Sequence, residues 1–327
     1  MVSILHDQRS RLLDTLYVST DRSSIERTRA KMKFLIGMRL FGGKGANGYP
    51  ELGEKAAEDA KRDIEPYLAG YGLIIILGTL GKGTGSGALP VISSLAESTG
   101  AFVLNVCTIP SAVLESLPRT VANHTRNGML RRGFNLVSVD QDRFMEIYGN
   151  QPIHSTLASL DALIAGVVAS MAESIYGNPD RSITVSDLRT LFKEGREGTL
   201  LVGDYDLNDP TLAASTFLST TLMKGDVRAS RGLLLQMMVP DGAPTEPMRS
   251  LLDAIFVRLG EKNKTVFISS MRNHDSERVD LFGIATGMDE SRAQIQKALK
   301  EKEQGQGIKI PTRDASVTSR WDVPMVV

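Results

Sequence analysis

Between Gly78 and Gly87 the chain reads Gly-Thr-Leu-Gly-Lys-Gly-Thr-Gly-Ser-Gly, so five of those ten residues lack a side chain. An apolar run, Leu73–Leu77, leads into this stretch, and a small-residue helix pattern, Ala88–Leu95, leads out of it. Strand, glycine loop, helix is the order in which proteins present backbone N–H groups to phosphate. Glycine permits close approach and positive φ, and the helix N-terminus adds unpaired donors and the positive end of a dipole. The loop is not of the Walker A type. Ile76 stands where that motif's first glycine belongs, and Gly83 follows Lys82 where serine or threonine is required.

The rest of the chain must supply the framework. Its 327 residues suggest two domains at ~100–200 residues each. Lys+Arg and Asp+Glu both total 38, a balance that favours neither nucleic acid nor an anionic membrane as partner. The single cysteine, Cys107, excludes an intrachain disulfide; it closes the apolar run Phe102–Val106 and reads as an inert core thiol. No segment reads as a membrane span of ~20 apolar residues, and the start lacks a signal-peptide pattern. The expectation is a cytoplasmic protein without direct membrane insertion. His6, His124, His154 and His274 are scattered, with no spacing that suggests a metal site.

Taken in order, residues 1–16 read as part of a helix, followed by short strands at 17–21 and 34–37. The glycine-rich stretch 41–50 reads as a loop. Leu52, Ala56, Ala60 and Ile64 then form one helical stripe. Strands follow at 73–77, 101–107 and 134–139. Alternating strands and helices predict an α/β fold with a parallel sheet covered on both faces. Ligands in such sheets bind beyond the carboxyl ends of the strands, so loops 41–50, 78–87, 108–119 and 140–142 should cluster at one edge. Ile153, Leu157, Leu160, Leu163, Ile164, Val167, Val168 and Met171 mark a long buried helix. The reading divides the chain into a nucleotide-binding domain (1–150), a central helix (151–177), a smaller α+β domain (178–289) and a tail (290–327). In the second domain it places helices from Asp187, at 210–223 and at 248–259, and strands at 199–203, 232–239, 265–269 and 281–286. The tail closes on Arg320-Trp321-Asp322-Val323-Pro324-Met325-Val326-Val327, either a flap on its own domain or a docking peptide for a partner.

At the glycine loop a family resemblance becomes specific. Gly81–Gly87 followed by Ala88-Leu89-Pro90-Val91-Ile92 resembles the tubulin/FtsZ signature. Ser19-Thr20-Asp21, Gly43–Asn47 with Pro50–Glu58, Asp142-Arg143 and Ile284-Ala285-Thr286-Gly287 resemble further family motifs in the same order. The short second domain places the chain nearer FtsZ than eukaryotic tubulin. The resemblance implies that GTP or GDP binds between the domains, with magnesium as accompanying cation, and that copies assemble head to tail into filaments in cell division or intracellular positioning. It assigns nucleotide contacts to Asn47, Gly81, Lys82, Gly83, Thr84, Gly85, Ser86, Gly87, Glu115, Arg119, Gln141 and Asp161. Gln141 stands where the family has asparagine. Trp321, Val323 and Pro324 are similar in character to the FtsZ tail peptide that binds membrane-tethering partners.

Three departures qualify that expectation. The family begins with a strand and a glycine loop that wraps the diphosphate, whereas Met1 aligns inside the following helix; the chain is either a truncated or mis-started product or lacks half the phosphate cradle. Lys82 replaces a glycine, to neutralise phosphate or to face solvent. The family's trans-acting acidic loop aligns with Ser182–Asp187, where Thr184 replaces a carboxylate and Asp187 alone remains as catalytic candidate. Bland readings stand beside these assignments: Asp187 as a first-turn helix charge, Asp161 as a carboxylate facing a cleft, Glu115 and Arg119 as an i,i+4 surface pair. Two functions are therefore expected in competition: a filament-forming GTPase with weakened hydrolysis, or a non-catalytic scaffold or filament regulator that binds nucleotide poorly or not at all.

Overall fold

The computed structural model describes residues 1–7, 12–149, 152–260, 264–273 and 277–288. The tail, including Trp321, Val323 and Pro324, lies outside the described residues.

The order of elements is α1 (Val2–Asp7), β1 (Leu16–Ser19), α2 (Arg22–Arg27), β2 (Met32–Leu35), α3 (Met38–Phe41), α4 (Pro50–Ile64), β3 (Leu73–Thr79), α5 (Gly83–Ser98), β4 (Phe102–Ile109), α6 (Ser116–Arg131), β5 (Leu136–Asp140) and α7 (Gln141–Tyr148). Then come α8 (Ile153–Tyr176), α9 (Val185–Glu194), β6 (Glu197–Tyr205), α10 (Pro210–Ser219), β7 (Gly232–Pro240), α11 (Thr245–Leu259), β8 (Thr265–Asn273) and β9 (Val279–Thr286). Among the described residues β1 and β2 form a parallel pair of their own, and the other strands form one sheet in the order β3-β4-β5-β6-β9-β7-β8. The expected parallel arrangement runs from β3 through β6. β9 then inserts antiparallel between β6 and β7. One ladder therefore crosses both halves of the chain.

Alternation along the strands assigns the two faces. Phe102, Leu104 and Val106 of β4 pack with Val137, Val139, Leu200 and Val202 against Leu160, Ile164 and Met171 of α8 and Leu188 and Phe192 of α9. The intervening Val103 packs towards α4 and α5. Cys107 and Ile109 meet Leu89, Ala122 and Met129 on α5 and α6. Burial drives the Cys107 thiol well above its ordinary range, as an inert core thiol requires. Further along the sheet, Leu201, Leu233, Leu235 and Leu281 carry α10 and α11. Polar pins set the register of α8: Gln236 Nε2 donates to the Ser170 carbonyl at 2.6 Å, and Ser269 Oγ donates to Ser174 Oγ at 2.7 Å.

Several elements depart from the sequence reading. The opening helix is described over Val2–Asp7, and residues 12–15, expected to be helical, form a turn and irregular backbone before β1. The second strand lies two residues earlier than expected. α8 does reach the length and apolarity of a membrane span, with 24 residues and mean hydropathy 1.6. Its Leu160, Ile164 and Met171 are nevertheless fully buried against the sheet, which accounts for the apolarity as that of a core helix. β1 and β3 are not hydrogen-bonded to each other. An apolar cavity of about 800 Å³ lies between them, lined by Leu16 and Val18 of β1, Ile74 and Ile76 of β3, Ala88 of α5 and Ala172 of α8.

Candidate functional site

The glycine stretch divides into two parts. Gly81 adopts φ +100, a conformation that side chains disfavour. From Gly83 onwards the residues are already helical, so the loop is shorter than the sequence suggests. The helical glycines answer a packing demand. A Cβ on Gly83 would sit 2.8 Å from the Ala46 carbonyl oxygen and 2.9 Å from that of Tyr49. One on Gly85 would strike the Thr79 carbonyl, and one on Gly87 would strike the Pro50 carbonyl. The first turn of α5 is therefore wedged against the start of α4 and the end of β3. Helix geometry leaves the amides of Gly83, Thr84 and Gly85 without intrahelical acceptors, because Ser86 N–H is the first to bond back, to the Lys82 carbonyl at 2.9 Å. The Ser86 hydroxyl is engaged, accepting from the Gly81 amide at 2.7 Å.

Around this turn runs a chain of bonds linking the carboxyl ends of successive strands. Thr20, after β1, accepts from the Ala46 amide at 3.1 Å and shares a 2.5 Å hydrogen bond with Thr84. Asn47 follows Ala46, exposed, in a left-handed turn (φ 47) that asparagine tolerates. Lys82 Nζ meets Glu115 Oε1 at 2.8 Å. Glu115 N–H donates to the Ser111 carbonyl at 2.9 Å, and the Ser111 amide donates to Gln141 Oε1 at 3.1 Å. Asn47, the Gly81–Gly87 turn, Glu115 and Gln141 thus share one crest.

Arg119 reaches the crest from below. Its guanidinium grips Asp140 with two bonds, at 2.9 and 2.6 Å, and donates to the Pro110 carbonyl at 2.7 Å. The hydrogen bond to Asp140 and its charge raise the Arg119 pKa further. Asp142 lies 3.2 Å from the same guanidinium. Burial opposes its charge, but the Ser111 hydroxyl, the Ala112 amide and Arg119 outweigh that and hold its carboxyl below the ordinary range. Asp161 and Asp187 stand outside this bonded chain. Asp161, half-exposed on α8, lies 3.6 Å from the Met1 amine. Asp187 closes a capping box on α9, accepting from the Thr184 amide at 2.8 Å while Thr184 Oγ1 accepts from the Asp187 amide at 3.2 Å. Loop 108–119 is shorter than expected, because α6 starts at Ser116; α7, starting at Gln141, carried no recognised helix signal.

Two site groups escaped the residue-by-residue reading. Thr20 was visible only as part of a motif, yet its hydroxyl is fully buried against Thr84. Asp140, buried at the carboxyl end of β5, had a positional signal: a carboxylate ending an apolar strand at the ligand edge.

The tubulin/FtsZ family GTPase-domain model matches residues 4–148. Cell division protein FtsZ 1 of Thermococcus kodakarensis is 26% identical over 273 residues, 83% of this chain and 73% of that protein. Cell division protein FtsZ 2 of Methanocaldococcus jannaschii is 30% identical over 232 residues, 68% of this chain and 60% of that protein. Among solved structures, an FtsZ dimer from M. jannaschii superposes with TM-score 0.80 at 24% identity, covering 88% of this chain and 84% of that one. CetZ2 from Haloferax volcanii, a GTPgS-bound protofilament, gives TM-score 0.75 at 19% identity, covering 94% and 96%. Ordered motifs, fold and these likenesses agree: the chain is similar to the tubulin/FtsZ family.

Proposed function

We propose that this chain binds guanine nucleotide at the crest and assembles head to tail with copies of itself into filaments, hydrolysing GTP slowly. The observation that carries the reading is the first turn of α5. Its free amides at Gly83–Gly85 lie beside the Thr20–Thr84 hydroxyl pair, an arrangement of donors and dipole suited to phosphate. Asn47, Glu115 and Gln141 line the same crest. Magnesium would accompany the nucleotide through its phosphate oxygens. Filament formation, in cell division or intracellular positioning, is drawn from the likeness to that family. Slow hydrolysis follows from Thr184, which stands where the family's acidic loop carries a carboxylate, and from Asp187, whose carboxylate is committed to capping α9. The tail peptide around Trp321, Val323 and Pro324 is proposed to dock a partner; a chain ending at Thr318 that captured every partner of the full chain would remove that proposal.

A second reading, a filament scaffold that binds nucleotide poorly, is favoured by one observation. Glu115 and Arg119 are already paired within the chain, with Lys82 and Asp140. Titration of the purified chain with GTP, with electron microscopy of the same sample and timed phosphate release, separates the two. Saturable GTP binding with nucleotide-dependent filaments and slow phosphate release supports the first. Filaments without GTP binding support the second, and rapid, concentration-dependent phosphate release overturns the slow-hydrolysis element.

A further inference from the structure

Lys82 is a cation whose position no packing demand explains. It stands at the N-cap of α5, yet its side chain makes no cap bond. Instead it crosses to Glu115, the N-cap residue of α6, whose side chain also leaves its own helix uncapped. The pair thus bridges two helix N-termini, each the positive end of a dipole. Lys82 is 61% exposed and Glu115 36%, so water screens the pair and it is readily exchanged. A polyphosphate seated on the Gly83–Gly85 amides would bring several negative charges beside the ammonium, against the single charge of Glu115.

We infer that Lys82 reads phosphate charge by exchanging partners, leaving Glu115 for the phosphates of a bound nucleoside polyphosphate, so that it sets the preference for polyphosphate over uncharged nucleoside. The inference rests on the reading of the crest as a nucleotide site. Two features support it. The ammonium sits one residue before the free amides, on a side chain long and flexible enough to follow a phosphate. Its present partner can also release it: the backbone of Glu115 is held by Ser111 and by the Arg119 amide, while its half-exposed carboxylate meets Lys82. Loss of Lys82 leaves an uncompensated carboxylate next to the phosphate seat, which opposes anion binding twice over.

Calorimetric titration of the full chain with GTP, guanosine and inorganic tripolyphosphate tests it, using the parent, Lys82→Ala, Lys82→Arg and Glu115→Gln. Lys82→Ala should weaken GTP and tripolyphosphate about tenfold, as expected for a lost charge-assisted contact, and leave guanosine unchanged. Lys82→Arg should keep most of the affinity. Glu115→Gln should tighten tripolyphosphate by about threefold and steepen its salt dependence. Equal GTP and tripolyphosphate affinities in Lys82→Ala and parent overturn the role of Lys82 while leaving the guanine reading intact. Tripolyphosphate binding that needs Lys82, with no GTP binding, keeps Lys82 and removes the guanine reading. A parent that binds neither overturns both.

Discussion

Arg119 and Asp140 form a two-bond clasp, Nη1 to Oδ1 at 2.9 Å and Nη2 to Oδ2 at 2.6 Å, that joins α6 to the end of β5. Asp140 is buried, and it also caps α7 by accepting from the Asp142 amide at 2.9 Å. The clasp therefore ties three elements together at the crest. Arg119→Ala strands a buried carboxylate and should cost about 2–4 kcal/mol in urea unfolding of the ligand-free chain. Unchanged ligand-free stability would show that the clasp does not hold these elements together.

Glycines on α5 should behave oppositely to a glycine elsewhere. Gly85→Ala and Gly87→Ala drive a methyl into the Thr79 and Pro50 carbonyls, backbone that cannot step aside, and each should destabilise by about 1–3 kcal/mol or more. Gly166, inside α8, has open space where a Cβ would go. Gly166→Ala should stabilise by about 0.5–1 kcal/mol through helix propensity. Thermal unfolding of the three variants, without nucleotide, reads the difference.

Asp21 supplies a pH-dependent cap. Its carboxylate accepts from the Ser23 and Ser24 hydroxyls, each at 2.7 Å, and from both amides, and these bonds hold its pKa at about 2. The unfolded value is ~3.9. A depressed folded value means that the cap's contribution is fully present above the unfolded pKa and is lost as pH falls from about 4 through about 2. Carboxyl NMR of Asp21 should give a midpoint near 2. Asp21→Asn should remove the titration while retaining an acceptor for α2. A midpoint at the ordinary carboxylate value would show that the cap is not formed in solution.

Thr184→Asp tests the acidic loop directly. Aspartate is as good an N-cap as threonine, so α9 should survive the change. If the missing carboxylate limits hydrolysis, phosphate release should rise on the order of tenfold or more. The rise should depend on protein concentration, because in the proposed head-to-tail assembly the loop would act on a neighbouring copy. A folded Thr184→Asp chain with the parent's rate would place the limitation elsewhere.

The apolar strands and the central helix were legible because their side chains repeat with the period of the element. α6 was not: Pro118 and several polar residues mask its start, although proline is tolerated in a first helical turn. The start of α5 was misplaced for a related reason. Gly83, Gly85 and Gly87 look like loop residues, and only the backbone of α4 and β3 pressing on them makes them helical. The site was legible as motifs and less so as partners. The bond between Lys82 and Glu115 and the clasp between Arg119 and Asp140 join residues on different elements, and no local pattern encodes which charges will meet.

The cavity between β1 and β3 has a consequence for how the molecule breathes. Among the described residues the β1–β2 ribbon has two strands, too few to be stable alone, and no ladder to the main sheet. Side chains tie it down: Leu16, Val18 and Phe34 pack against α4 and α5, and hydrogen bonds join Thr20 to Thr84, and Asp14 to Tyr71 at 2.7 Å. Amide hydrogen exchange should therefore be faster at Leu16–Ser19 and Met32–Leu35 than in β4 and β5, and the ribbon amides should exchange together as one cooperative unit. Exchange rates matching those of β4 would show the ribbon to be locked to the core. Thr20 travels with the ribbon, and Gly83–Gly85 stay with the core. The proposed phosphate seat would thus be shared between these two parts, and a ligand bound across it should raise the protection of the ribbon.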